Sequence, residues 1–428
     1  MSKVVKKDYL DEAVQGFNIR TAIEEASRCT LCHDAPCSKG CPAGTEPDKF
    51  IRSIRFRNFK GAAETIRENN ILGGVCVRVC PYDRLCEEAC SRTGIDRPIQ
   101  IGLLQRFAVD QEKLFGMNIL TAPEATKEKV ACIGSGPASL ACAAKLALQG
   151  YKVTIFEEKD KAGGVLSYGI TPARLPQQTV DFDIQKVKDL GVEFVFNTKV
   201  GKDVSIEELK NQGFKAFFLG LGLWKPKMVD VPGINFDGVT NAVEFLKNAR
   251  SNEGKIDIGE NVLVIGGGDV AMDCAATAKL VGANRVTIVY RRTVEEAPAD
   301  IDEIKYVQSL GINIFSKFRP KEVVGENGKV VGLIAEGTDD YSELKLKADT
   351  IVFAIGQAPE DAKAIAGVDL VSTGCINADP EKGATNVEGI FAAGDIVNGG
   401  KTVVEAVAQG KDAADSIMEY LMKKEGAK

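Results

Sequence analysis

The apolar positions of the chain follow two different rhythms. Up to about residue 126 they rarely run together as strands do. Pro47 to Asn69 shows helical spacing, with Phe50, Ile54, Ala62 and Ile66 as its apolar positions. Thr121 to Lys129 is short, polar and uneven, and reads as a linker. From Val130 the rhythm changes. Val130–Ile133 is an apolar strand run and Gly134–Ser139 a glycine turn. Leu140–Gln149 is a helix rich in small residues, ended by Gly150, and Lys152–Glu157 is a second strand. The same order returns further on: strand Asn261–Ile265, turn Gly266–Ala271, a helix to about Val281, and strand Arg285–Tyr290. The chain therefore carries two copies of one supersecondary unit. Thr402 to Leu421 predicts another helix, with Val403, Val407, Gly410, Ala414, Ile417 and Leu421 spaced by alternating steps of four and three.

Each glycine turn sits between a strand and a helix, the context a dinucleotide-binding fingerprint requires. The first glycine permits the tight turn, the second lets the backbone approach a pyrophosphate, and a small third residue lets helix and strand pack closely. The unpaired N–H groups of the helix N-terminus then face the anion. In the first copy these positions are Gly134, Ser135, Gly136, Pro137, Ala138 and Ser139, and Glu157 at the end of the next strand can accept hydrogen bonds from a ribose diol. In the second copy they are Gly266, Gly267, Gly268, Asp269, Val270 and Ala271. Arg291 and Arg292 follow its second strand, where an acid is absent. Arginines there suit a 2′-phosphate, hence NADPH over NADH; the competing reading is two solvated surface charges. Two dinucleotide units suggest one flavin and one nicotinamide. The run Thr385 to Asp395 resembles the second FAD motif of two-dinucleotide-fold flavoproteins, in which the residue at Asp395, after Gly394, bonds the ribityl chain. A plain strand and turn, with Asp395 as a cap, is the alternative. Lys401, Thr402 and Val403 then open a helix whose positive end would favour the charge on a reduced flavin ring.

If that motif belongs with the Gly134 unit, the FAD domain is discontinuous and the nicotinamide domain is inserted into it. The expected fold class is α/β with an all-α N-terminal iron–sulfur domain and two Rossmann-like dinucleotide-binding domains. The expected boundaries are 1–126 for the helical domain, 127–228 and 357–428 for the two parts of the FAD domain, and 229–356 for the NAD(P)H domain.

Charge and composition narrow the picture. The formal net charge of −6 argues against nucleic-acid binding. No apolar run reaches the ~18 residues of a membrane span. The charged N-terminus lacks a secretory signal, so a cytoplasmic protein is expected. A single histidine, His33, excludes His-rich metal chemistry. Of the 12 cysteines, eight lie between Cys29 and Cys90. Such a patch at one end of a long chain suggests metal or cluster ligation rather than a disulfide scaffold. Cys29, Cys32, Cys37 and Cys41-Pro42 form one group, and Cys76, Cys80-Pro81, Cys86 and Cys90 the other. Close thiolates followed by Cys-Pro resemble iron–sulfur ligation, and eight would suit two [4Fe–4S] clusters. Two four-thiolate zinc sites are the alternative that spacing leaves open. Outside the patch there is no Cys-x-x-Cys, so a dithiol beside the flavin is not expected and electrons need another exit. Cys132, Cys142, Cys274 and Cys375 read as buried small hydrophobes.

The segments EASRCTLCHDAPCSKGCP, RSIRFRNFKGAAETIRENN, CVRVCP and IQIGLLQRF closely resemble the NAD(P)H-oxidising subunits of bacterial dihydropyrimidine dehydrogenases (the PreT family). They are similar, less closely, to the N-terminal half of the single-chain animal enzyme, and the small subunit of glutamate synthase shares the layout. The resemblance implies interleaved ligation: Cys29, Cys32, Cys37 and Cys90 for one cluster, and Cys41, Cys80, Cys86 and Gln105 for the other, with Cys76 a bystander. Gly164, Leu166 and Arg174, and Ala354, Ile355 and Gly356, complete the expected cofactor contacts. The bacterial two-subunit relatives point to NADH, which sets family against the arginine pair. The implied activity is oxidation of NAD(P)H through FAD. Electrons would pass through two [4Fe–4S] clusters to an FMN- and iron–sulfur-containing catalytic subunit (PreA-like) that reduces uracil or thymine, in a hetero-oligomer. The alternatives are an input subunit for glutamate synthase or for a ferredoxin-linked oxidoreductase, and, in another class, a non-catalytic zinc-stabilised interaction module.

Overall fold

The computed structural model describes residues 8–426, which fall into two compact units. One holds Trp224–Ala358 with Tyr168–Pro176 and the described part of Met1–Ala13; the other holds Val14–Ser167, Gln177–Leu223 and Pro359–Lys428. The cysteine-rich region therefore shares a unit with the first glycine turn. Among the described residues no helix is long and apolar enough to cross a membrane.

In this larger unit the sheet is five-stranded and parallel, in the order Ile390–Ala392, Phe214–Leu219, Lys129–Ile133, Lys152–Phe156, Glu193–Val195. The third and fourth strands pair Val130 with Val153 and Cys132 with Ile155. Both read apolar without alternation because both faces are covered. Lys129, expected in the linker, is the first strand residue. The helix after the turn runs Pro137–Leu148, with Pro137 at its first position, where the missing N–H costs nothing. Gly150, at φ +82°, turns the chain back into the sheet. The C-terminal helix, Val403–Gly426, outlasts its predicted end.

The rest of that unit is helical: Ile19–Ser27, Pro47–Arg55, Phe59–Asn69, Gly73–Val79 and Ile101–Leu114. The helix expected over Pro47–Asn69 is broken in two. Arg57 lies in the left-handed region (φ +60°), and the Asn58 side chain caps the second piece by accepting from the Gly61 N–H at 2.9 Å. Phe50, Ile54, Ala62 and Ile66 are nevertheless all fully buried in one core with Leu104 and Phe107. A deep ion network joins these helices to Gln177–Asp189. Arg67, with a side chain 0% exposed, pairs through Nε with Glu112 (2.8 Å) and through Nη2 with Asp183 (2.8 Å). Lys186 pairs with the other Glu112 oxygen at 3.2 Å.

The smaller unit has its own five-stranded parallel sheet, in the order Val239–Asn241, Thr350–Phe353, Asn261–Ile265, Arg285–Tyr290, Asn313–Ser316. The helix Asp269–Leu280 packs against it through Ala271, Cys274, Ala275 and Ala278, all fully buried. Phe318–Glu326, Lys329–Gly337 and Glu343–Lys347 form a three-stranded antiparallel sheet that the sequence pattern did not predict.

Candidate functional site: two glycine turns and two sets of thiols

Gly134 adopts φ +87°, and a Cβ there would lie 2.7 Å from the Gly220 carbonyl oxygen. Gly136 is different. Its backbone is ordinary (φ −69°), and the nearest atom to an added Cβ would be 3.9 Å away. It heads the 137–148 helix, whose N-terminus has no side-chain cap. Open space in front of uncapped N–H groups is a cradle for phosphate. Ser139 is fully buried, and a Cβ at Gly220 would meet its hydroxyl at 2.1 Å, so helix and strand approach closely. Glu157, just past the Lys152–Phe156 strand, is buried. Its Oε2 accepts from the Ser135 N–H (3.0 Å) and hydroxyl, and Oε1 from the Lys159 N–H (3.0 Å). The carboxylate thus braces the turn and keeps lone pairs for a ribose. Gly164 (φ +56°) and the fully buried Leu166 follow, and the Gly163 N–H also donates to Ser135.

The C-terminal motif converges on the same turn. A Cβ at Gly394 would sit 3.1 Å from Ala138 Cβ, and one at Gly410 would sit 2.2 Å from the Ala138 carbonyl oxygen. Asp395 accepts from the Lys401 N–H at 3.2 Å, and burial raises its pKa. Thr402 and Glu405 form a capping box: the Thr402 N–H donates to Glu405 (3.1 Å) and the Glu405 N–H to Thr402 (3.3 Å). The positive end of the Val403 helix, expected to face a flavin ring, therefore already carries a carboxylate of its own. These residues fit FAD: Gly136 and its helix for the pyrophosphate, Glu157 for a ribose, and Asp395 for the ribityl hydroxyls.

The second turn repeats the design in the smaller unit. Gly266 has φ +149°, and a Cβ there would lie 2.2 Å from the Ala354 carbonyl oxygen. One at Gly267 would strike the Tyr290 ring at 2.4 Å, whereas Gly268 faces open space, its nearest neighbour being 3.8 Å away. Gly268 heads the 269–280 helix without a side-chain cap. Asp269 accepts from the Asp300 N–H at 2.7 Å. Val270 is partly buried, Arg291 and Arg292 are exposed just past Tyr290, and Ile355 and Gly356 continue from Ala354. Arg174 was expected to touch a cofactor, but its guanidinium is spent on Asp273 (3.0 Å) and Glu303 (2.7 Å). Burial, against the attraction of Arg174, pushes Glu303 up to about 7. These residues fit NAD(P)H, with Gly268 toward the pyrophosphate and the two exposed arginines toward the adenosine ribose.

None of the eight cysteines of the patch forms a disulfide. Cys29, Cys32, Cys37 and Cys90 line one pocket together with Asp48 and Ile51, although Cys90 is far from the others in sequence. Burial raises Cys29, and raises Cys37 to about 11. Hydrogen bonds between its Sγ and the hydroxyls of Ser91 and Thr30 lower Cys32. The other four sit within electrostatic reach of one another: Cys80 feels Cys76, Cys86 and Cys41. Burial holds Cys80 and Cys86 far above the usual thiol range and lifts Cys76 to about 12. A sequential division into quartets is not what the structure brings together: Cys90 joins the first group and Cys41 the second. Four thiols walling one pocket suit an iron–sulfur cluster, whose irons would stabilise thiolates that burial alone disfavours. Cys76 lies beside Cys41 and Cys80, while Gln105, on the 101–114 helix, donates through Nε2 to the Gly73 carbonyl at 3.0 Å. His33 is exposed beside Cys32.

Two features of the second thiol set were not foreseen. Asp183 accepts from the Val75 N–H (2.8 Å) and so caps the Gly73–Val79 helix that leads to Cys80. Lys411, on the C-terminal helix, donates to the Ala43 (2.8 Å) and Asn69 (2.6 Å) carbonyls, tying that helix to the loop after Cys41. Neither has a local sequence signal; both depend on long-range contacts.

Two family models match this chain: pyridine nucleotide-disulphide oxidoreductase over residues 128–410, and dihydropyrimidine dehydrogenase domain II, 4Fe-4S cluster, over residues 6–116. The chain is 44% identical over 423 residues to the Escherichia coli K12 NAD-dependent dihydropyrimidine dehydrogenase subunit PreT, covering 97% of this chain and 98% of that one. The Salmonella typhi homolog of that subunit is 45% identical over 420 residues, covering 97% and 98%. The NADP(+)-dependent formate dehydrogenase subunit beta of Moorella thermoacetica is 37% identical, covering 90% of this chain and 60% of that one. Among solved structures, Mycobacterium tuberculosis FprA in complex with NADPH aligns with a TM-score of 0.58 at 19% identity, over 70% of this chain and 86% of that one. T. acidophilum thioredoxin reductase aligns with a TM-score of 0.55 at 20% identity, over 68% of this chain and 99% of that one. At these identities the two structures establish the fold alone.

Proposed function

This chain belongs to the family of NAD-dependent dihydropyrimidine dehydrogenase subunits, and from that premise we propose that it is the electron-input subunit of such an enzyme. It is an oxidoreductase, and its NAD(P)-dependent electron-input role follows from the family. The finer reading is that NAD(P)H reduces FAD and that two [4Fe–4S] clusters carry single electrons to an FMN- and iron–sulfur-containing subunit that reduces uracil or thymine.

The cofactors supply the hydride and one-electron chemistry; the chain's residues bind and aim them. Gly136 and the uncapped 137–148 helix would hold one pyrophosphate, and Glu157 would accept from a ribose. Gly268 and the 269–280 helix hold the other, and Arg291 and Arg292 answer a 2′-phosphate. Cys29, Cys32, Cys37 and Cys90 hold one cluster. Cys41, Cys80 and Cys86 hold the other, with Gln105 or Cys76 as the fourth ligand. No protein acid or base is required for hydride transfer.

The observation that carries this reading is that Cys90 joins Cys29, Cys32 and Cys37, over fifty residues earlier in the sequence, around one pocket, in the same compact unit as the Gly134 turn. The test is reconstitution. The holoprotein mixed with the FMN-containing partner should reduce uracil at the expense of NADH or NADPH, and neither subunit should do so alone. Reduction of glutamate synthase or a ferredoxin instead, with no dihydrouracil formed, would replace the pyrimidine reading. A colourless zinc protein would remove the redox reading altogether.

A further inference from the structure

The corner between the Pro47–Arg55 and Phe59–Asn69 helices has features that nothing in cofactor binding uses. Phe56 is 71% exposed there. It follows Arg55 and precedes Arg57, whose left-handed backbone (φ +60°) turns the chain sharply. A single exposed aromatic needs no explanation, but this one sits among cations. The side chains of Arg52, Arg55 and Arg57 make no hydrogen bond or ion pair among the described residues, although the chain as a whole carries −6. The nearby acids are committed: Asp48 accepts from Ser38 (2.5 Å), Glu46 pairs with Lys49, and Glu64 with Lys60 (3.4 Å).

This corner adjoins the thiol set of Cys29, Cys32, Cys37 and Cys90. The 47–55 helix contributes Asp48 and Ile51 to the wall of the Cys29 pocket, and Arg55 is close enough to Cys29 to act on its charge. Cys32 of that pocket directly precedes exposed His33, so this thiol set lies close to the surface. Electron tunnelling weakens steeply with distance, so an acceptor must dock where a cluster lies nearest the surface.

We infer that the Phe56 turn, with Arg52 and Arg57, is the docking edge for the electron-accepting subunit, which presents an acidic rim around an apolar pocket that takes the phenyl ring. This rests on the function proposed above. Arginine and a central aromatic are the residue types that dominate interface energetics. Opposite charge steers encounter and selects orientation.

The test uses the full-length holoprotein and the FMN-containing partner. Phe56→Ala and the double variant Arg52→Glu/Arg57→Glu should each raise the KM for the partner about tenfold or more, as loss of an anchor or of charge complementarity does. Iron and flavin content, and NAD(P)H oxidation with menadione, a neutral acceptor that needs no docking, should stay as in wild type. Arg52→Lys/Arg57→Lys should fall within about threefold of wild type, because charge is kept. Variants that reduce the partner with the wild-type KM would overturn the docking edge and leave the proposed function standing. Wild-type protein that reduces menadione but not the partner would instead overturn the proposed function, and the docking edge with it.

Discussion

Arg67 shows how much one side chain can be asked to hold. It is fully buried and pairs with both Glu112 and Asp183, Lys186 supplying the second positive charge, and Asp183 in turn caps the helix that leads to Cys80. Removing one partner of a buried ion pair leaves an uncompensated charge and costs about 3–5 kcal/mol. Arg67→Met should therefore lower the unfolding free energy of the larger unit by that order, shifting its urea midpoint down, and release iron before flavin, followed by absorbance of both during urea unfolding. A variant as stable as wild type would mean that the two carboxylates are not charged in the folded protein. None of this was legible locally. Arg67 reads in sequence as one more charge on an amphipathic helix, and its partners lie 45 residues away or further. The same holds for the thiols. Spacing identified the eight cysteines, but which four share a pocket is decided by how the 90s loop folds back, and spacing pointed instead to sequential quartets.

At the scale of elements, the two strand–turn–helix units were readable because each local rule agrees with the others: apolar runs for strands covered on both faces, positive-φ glycine for the turn, small residues where helix meets sheet. The glycines within one turn have separable duties. Gly134→Ala would be strained at φ +87° and would press on the Gly220 carbonyl, so it should fail to fold. Gly136→Ala has ordinary backbone and free space, so it should fold normally, yet place a methyl where phosphate approaches. FAD affinity should fall about tenfold or more, ~1.4 kcal/mol, with NAD(P)H binding unchanged; equilibrium dialysis of apoprotein reads this. Gly268→Ala should do the converse. Equal affinity for FAD in Gly136→Ala would show that the turn does not hold a pyrophosphate. Two elements escaped the pattern. The break at Arg57 is hidden because both helix pieces bury their apolar positions in the same core, so the spacing runs on across the turn. The antiparallel sheet over 318–347 is half exposed, and its bulges at Pro320–Glu322 and Val324–Gly325 interrupt the alternation that would have marked it.

For the molecule as a whole, the division is between a smaller unit carrying the Gly266 turn and a larger unit that combines the Gly134 turn with the thiol-lined helical region. That combination is the one the proposed carrier, taking electrons as pairs and passing them on singly, would need. The family match spans nearly the entire chain, and sequence alone carried the reading that far because the motifs are dense and mechanistically specific. The nicotinamide preference resists such reading, since exposed Arg291 and Arg292 argue for a 2′-phosphate while the E. coli relative is named NAD-dependent. The most direct test of the central claim is an anaerobic titration of the purified, fully loaded protein with NADH and, separately, NADPH, followed by visible absorbance and electron paramagnetic resonance. Two [4Fe–4S] clusters predict about eight irons per flavin. The flavin band should bleach under at least one nucleotide, and further reduction should raise signals from reduced clusters. Material without iron, or a flavin that neither nucleotide bleaches, would contradict it.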